Sequence, residues 1–234
     1  MADYRTIGIL GGMGPMATYD LGRKILAHTE ASCDQEHIPV LIDCNTRIAD
    51  RTEAILRGGS DPLPEMIRSA KRLEAMGADL LAMPCNTAHY YYEKIAGAVE
   101  IPVLHMPGIT AEVLASSGVR CAGVLATDGT RESGVYDTAL AARGIRTVYP
   151  APEHQKTLMR MIYEHVKAGN LDFSGLDTEG LSADLAAKGA EILILGCTEL
   201  PIAFERIGET GLPRIDPTEM LARAAVQAAG GRLK

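Results

Sequence analysis

Tryptophan is absent from this 234-residue chain, and phenylalanine occurs only twice, at Phe173 and Phe204. The core must therefore be built from Leu, Ile, Val, Ala and Met. No apolar run approaches the roughly 20 residues of a transmembrane helix. The opening Met-Ala-Asp-Tyr-Arg-Thr runs straight into Ile7-Gly8-Ile9-Leu10, without the longer apolar stretch of a secretory signal, so a cytoplasmic protein is expected. Positive charge is also short: 23 Lys and Arg stand against 30 Asp and Glu, a net charge of −7. Nucleic acids and anionic membranes both demand a basic surface, so neither is an expected partner. Cysteine pairing is missing too. The five cysteines, at 33, 44, 85, 121 and 197, are odd in number and contain no CxxC, which argues against a disulfide framework. The six histidines fall in no metal-ligand spacing, so no metal is expected.

What remains is a soluble globular composition in short apolar runs separated by longer helical patterns. Strands are expected at Thr6–Leu10, Pro39–Asp43, Leu80–Met83, Pro102–Leu104, Cys121–Ala126, Ile145–Tyr149, Ile192–Leu195 and Arg214–Ile215. These runs are continuous rather than alternating, as in strands buried on both faces of a parallel sheet. Helices are expected between them, at 15–29, 62–76, 88–97, 108–117, 133–143, 154–168, 177–188 and 217–229. Asp61 reads as the cap of the second of these, Pro62 as its first residue and Gly77 as its stop. Strand and helix in repeated alternation make an α/β protein.

The chain also repeats itself. Residues 77–87, Gly-Ala-Asp-Leu-Leu-Ala-Met-Pro-Cys-Asn-Thr, match residues 189–199, Gly-Ala-Glu-Ile-Leu-Ile-Leu-Gly-Cys-Thr-Glu, at an offset of 112. Gly8-Ile9-Leu10-Gly11 matches Gly123-Val124-Leu125-Ala126 at an offset of 115. A duplication follows: two pseudo-symmetric open parallel-sheet α/β domains, residues 1–104 and 105–211, with a C-terminal helical segment, 212–234, packing back onto the first. Each repeated cysteine, Cys85 and Cys197, ends a buried strand, where open α/β sheets bind ligands. Facing each other across the cleft between domains, the two thiols suit inversion at carbon. One takes a proton while the other delivers one to the opposite face, with the sulfurs roughly 7 Å apart. The helix starts that follow would favour carboxylates and lower the thiol pKa values.

Gly11-Gly12-Met13-Gly14-Pro15, Pro84-Cys85-Asn86-Thr87-Ala88-His89 and Gly196-Cys197-Thr198-Glu199 together resemble the aspartate/glutamate racemase superfamily, closest to its aspartate racemase branch. Asp34-Gln35-Glu36-His37, Asp50-Arg51-Thr52 and Val166-Lys167-Ala168-Gly169-Asn170 add to the match, which spans essentially the whole chain. The resemblance implies a cofactor-independent (PLP-independent) two-base racemase, usually a homodimer, acting on a small acidic amino acid. It implies Cys85 and Cys197 as the two acid/bases. Arg51 and Lys167 would hold substrate carboxylates, and Met13, Asn86, Thr87, Thr127 and Thr198 would line the site. Met13-Gly14 and Glu199 depart from the glutamate racemase pattern, which carries an acid with Ser and a His at those places. Arg51 favours an acidic side chain without separating aspartate from glutamate. A broader acidic amino-acid racemase, a dicarboxylate isomerase of the same superfamily and a silent amino-acid binder remain as alternatives. The glycine-rich loop at 8–14 is a weak match to a dinucleotide fingerprint. Tyr90-Tyr91-Tyr92 reads as packing or a subunit contact, and His89 as a helix-start or packing residue. Cys33, Cys44 and Cys121 lack symmetric partners.

Overall fold

A computed structural model describes residues 4–208 and 211–234. The first half runs β1 (Ile7–Gly11), α1 (Pro15–His28), β2 (Val40–Cys44), α2 (Arg51–Arg57), α3 (Leu63–Ala75) and β3 (Leu80–Ala82). A 3₁₀ turn over Thr87–Tyr91 then leads into α4 (Tyr92–Ala96) and α5 (Met106–Ser116). The second half runs β4 (Cys121–Ala126), α6 (Asp128–Ser133), α7 (Val135–Ala141), β5 (Arg146–Val148) and α8 (Pro152–Arg160). It ends with α9 (Thr178–Ala187), β6 (Ile192–Gly196), α10 (Leu200–Ile207), β7 (Arg214–Ile215) and α11 (Pro217–Ala228). No described helix is long and apolar enough to cross a membrane.

All strand pairing within the two sheets is parallel, in the orders β2-β1-β3 and β5-β4-β6-β7. The central strands β1 and β4 are buried along their whole length, as their unbroken apolar sequences require. The register repeats the sequence offsets. Gly8 pairs with Leu81 and Gly123 with Leu193, so 123 − 8 = 115 and 193 − 81 = 112. The strand expected at Pro102–Leu104 contracts to a single bridge, Leu81 to Val103. Pro102 has no N–H to extend the ladder. Its partner in the repeat, Pro213, accepts from the Leu193 N–H as Pro102 does from Leu81. The helix expected at 133–143 is α7, which starts only after Gly134, whose φ of +65° separates it from the unexpected α6. Pro62 caps α3, while the Asp61 side chain accepts from the Leu63 N–H at 3.0 Å.

Counted by the repeat, α5 (106–116) matches α11 (217–228) and closes the first half, although the boundary expected at 104/105 assigns it to the second; each of the two packs partly on the other half's sheet. Ala111 and Leu114 of α5 pack with Ala122 and Val124 of β4. Leu221, Ala222, Ala225 and Val226 of α11 pack with Ile7 and Ile9 of β1 and with Leu21 and Ile25 of α1. Because β7 pairs with β6, Arg214 and Ile215 stay with the second sheet, and the return to the first begins at Pro217.

The glycine in the middle of each central strand lets a helix approach closely. A Cβ on Gly8 would lie 2.7 Å from Leu81, 2.9 Å from Ala78 and 3.4 Å from Leu73. A Cβ on Gly123 would lie 3.1–3.2 Å from Leu185, Leu193 and Ala190, the same three positions of the repeat with slightly more room. Gly8→Ala should therefore cost about 1–3 kcal/mol of stability and Gly123→Ala clearly less. Urea unfolding at neutral pH checks the order, and equal costs would contradict it.

Candidate active site

The parallel ladders bring both cysteines to the carboxyl ends of their sheets. Cys85 follows β3 after Met83-Pro84, and Cys197 follows β6 directly. Both are free thiols and buried. They line one narrow cleft between the halves. Met13, Arg51, Asn86, Thr87, Thr127, Lys167 and Thr198 line it too, so all nine residues named from the sequence come together. Asp50, Thr52, Tyr163 and Glu199 complete the lining. Glu199 and Asp50 stood inside the quoted motifs, but their reach into the cleft was not anticipated. Tyr163 carries no motif. It arrives because α8 runs into a π-type turn over Met161–Val166. In that widened turn the Lys167 N–H bonds to Ile162, five residues back, at 3.0 Å, and both Tyr163 and Lys167 reach the cleft.

Arg51 begins α2 and is buried. Its Nη1 donates to Ala49 O at 2.9 Å and Ile48 O at 3.4 Å, and its Nη2 donates to Met13 O at 3.1 Å. The Nε–H has no partner among the described residues. Burial works against the charge of Arg51, yet Cys85 first and then Asp50 outweigh it, and the pKa stands above its ordinary value. The helix carrying Arg51 lies tightly on α6. A Cβ on Gly129 would meet Thr52 Oγ1 at 2.6 Å, so only glycine fits where the halves touch. Close by, the hydroxyls of Thr87, Thr127 and Thr130 bond mutually at 2.7–3.2 Å across the two halves.

The second wall differs in character. The Cys197 thiol donates to Glu199 Oε2 at 3.0 Å, and Thr198 Oγ1 donates to the same oxygen at 3.2 Å. Lys167 Nζ lies 4.0 Å from the other oxygen and 4.6 Å from the Tyr163 ring centre. Burial, reinforced by the Glu199 charge, pushes the Cys197 pKa well above its ordinary value. This reverses the expectation that a helix start would lower it: α10 begins only at Leu200, and burial together with the nearby carboxylate prevails. Burial disfavours the charged form of Lys167, but Glu199 and Cys197 more than compensate and raise its pKa.

His89 supports the first cysteine from behind. The Met106 N–H donates to Nε2 at 3.1 Å, so the proton sits on Nδ1, which bonds to Cys85 O at 2.9 Å. The ring is buried beside His105, and burial lowers its pKa to about 4.

Comparison with known proteins places this arrangement. The sequence profile of the Asp/Glu/Hydantoin racemase family matches residues 10–225. The broad specificity amino-acid racemase of Bacillus subtilis (strain 168) is 30% identical over 227 residues, covering 94% of this chain and 96% of that one. An aspartate racemase structure from Picrophilus torridus superposes with a TM-score of 0.83 at 32% identity, over 98% of this chain and 96% of its own. A Francisella tularensis glutamate racemase shares the fold at a TM-score of 0.69 and 20% identity, over 97% and 81% of the two chains.

The His89 environment generates a pH signature. With its folded pKa depressed from 6.5 to about 4, stability is complete above about 6.5 and falls as the pH drops toward 4, because the unfolded chain takes up the proton first. The loss is on the order of 3 kcal/mol. Urea unfolding between pH 7 and 4 should show this slope, and His89→Gln should remove it. An unchanged slope in the variant would refute the assignment.

Proposed function

The chain belongs to the Asp/Glu/Hydantoin racemase family, and on that footing we propose that it interconverts L- and D-aspartate by two-base proton transfer between Cys85 and Cys197, without a cofactor. The observation that carries this reading is two buried thiols in one cleft with unpartnered N–H donors beside them. Six buried side-chain nitrogen or oxygen atoms lack partners among the described residues, and the two that belong to the cleft, Arg51 Nε and Asn86 Nδ2, are both donors. Buried donors without acceptors favour an anionic ligand. On Arg51, the Nη1 hydrogens and one Nη2 hydrogen are directed at backbone carbonyls. The unpartnered Nε–H leaves the guanidinium a donor for a carboxylate oxygen. Lys167 supplies a second cation, suiting an amino acid with two carboxylates.

Mechanistically, Cys85 beside Arg51 serves as the base toward one enantiomer, while the Cys197 thiol is held on Glu199. Cys85 removes the Cα proton of one enantiomer, and the electron pair left on carbon delocalises into the α-carboxylate held by the cleft donors. The Cys197 S–H then protonates the opposite face, leaving Cys85 as thiol and Cys197 as thiolate. The reverse reaction starts from that state, so one proton is shared between two sulfurs. The similarity to a broad specificity racemase supports a second reading, in which glutamate and other acidic amino acids are also turned over. A homodimer belongs to the same proposal, and the exposed Met16, Tyr19 and Leu26 of α1 offer it an apolar contact.

In deuterated water without PLP, L-aspartate should gain deuterium at Cα as D-aspartate forms. Cys85→Ala and Cys197→Ala should each lower that rate by about 10²–10⁴-fold while remaining folded. Exchange with L-glutamate alone would keep the mechanism and overturn the substrate. No exchange with either would leave a dicarboxylate isomerase or a silent binder.

The pH dependence of kcat/KM tests Glu199. The active form needs one proton on the thiol pair, and the basic limb reports loss of the proton held by Cys197. Glu199→Gln removes the charge that raises this pKa, so the basic limb should move to lower pH. It should move equally for both enantiomers, because the racemisation equilibrium constant is one. An unmoved limb would show that Glu199 does not hold the Cys197 proton.

A further inference from the structure

Tyr136 lies outside the cleft, yet it touches both cysteine motifs. It sits on α7 of the second half and is fully buried. Its hydroxyl crosses to the first half and donates to Asn86 Oδ1 at 2.5 Å, next to Cys85. Its ring lies against Gly196, the residue before Cys197, where an added Cβ would come within 3.2 Å of Tyr136 Cε2. The repeat explains the glycine: the matching position in the first half is Pro84, and the second half leaves that space for the tyrosine ring.

The contact leaves the Asn86 amide one-sided. Its oxygen is occupied by the tyrosine hydroxyl, while its Nδ2 is buried without a partner among the described residues. An unconstrained amide could turn over and present either end to a ligand. We propose that Tyr136 is a positioning residue that locks the Asn86 amide with its NH2 toward the cleft. This place then accepts a substrate carboxylate oxygen and rejects the ammonium group. The orientation of the amino acid on the Cys85 wall is thereby fixed by a residue that never meets it. Burial holds the Tyr136 hydroxyl protonated far above its ordinary range, so it remains a donor at working pH.

The inference rests on the amino-acid reading of the cleft, and its test separates the two. Tyr136→Phe keeps the ring and removes only the hydroxyl. KM for L-aspartate should rise about tenfold, the value of one well-placed donor, with kcat changed far less. Asn86→Ala should raise KM similarly, and Tyr136→Phe should add nothing in the Asn86→Ala background. Full additivity, or an unchanged KM, would overturn the proposal. The lock can also be read without turnover. The side-chain amide resonances of Asn86, assigned by their loss in Asn86→Ala, should shift in ligand-free Tyr136→Phe. If they do not, the lock is absent whether or not the protein racemises anything. If they shift while the wild-type protein exchanges no amino acid, the lock stands and only the substrate reading fails.

Discussion

Parallel pairing of β1 with β3, and of β4 with β6, is the constraint from which the rest of this molecule follows. It buries the central strands on both faces, sends every connection through a helix, and brings Cys85 and Cys197 to the same edge of their sheets. The glycines at 8 and 123 keep that pairing compact, since the helix residues matched by the repeat close directly over them. With the ladders set, the loops after the strands have one cleft to line, and the charged residues on them are buried together.

Within the cleft the two halves are alike in backbone and unlike in charge. Cys85 lies by a guanidinium anchored on three carbonyls, whereas the Cys197 thiol donates a hydrogen bond to a carboxylate. In the proposed two-base reaction, two sulfurs related by duplication thus work from unlike surroundings. Such separation of titrating groups by environment is how one fold runs acid and base chemistry together. Behind the thiols, polar atoms of the first cysteine loop are held by His89 from four residues away and by Tyr136 from the other half.

The sheets and the pair of cysteines were readable because continuous apolar runs and a repeat at fixed offset are local signals. The cleft residues named from motifs also come together: most stand just past the strand ends, while Arg51 opens α2 and Lys167 arrives with the π-type turn. Other features depend on geometry that the sequence does not announce. The π-type turn that delivers Tyr163 has no compositional mark, and the short helices α2, α6 and α10 carry too few residues to display a period. The reversal at Cys197 was hidden because it depends on how deeply the thiol is buried and how near the Glu199 carboxylate lies, neither of which the motif declares. Tyr136 was invisible for a similar reason: 50 residues separate it from Asn86.

The reciprocal placement of α5 and α11 has an ancestral reading. Each follows the last strand position of one half and covers the sheet of the other. A single half-chain would therefore leave an apolar sheet face bare while its final helix had nothing to cover. The smallest self-sufficient unit is a pair of halves exchanging helices, which is a swapped dimer. In one chain the two copies need not stay identical, so one thiol stands beside an arginine and the other beside a glutamate.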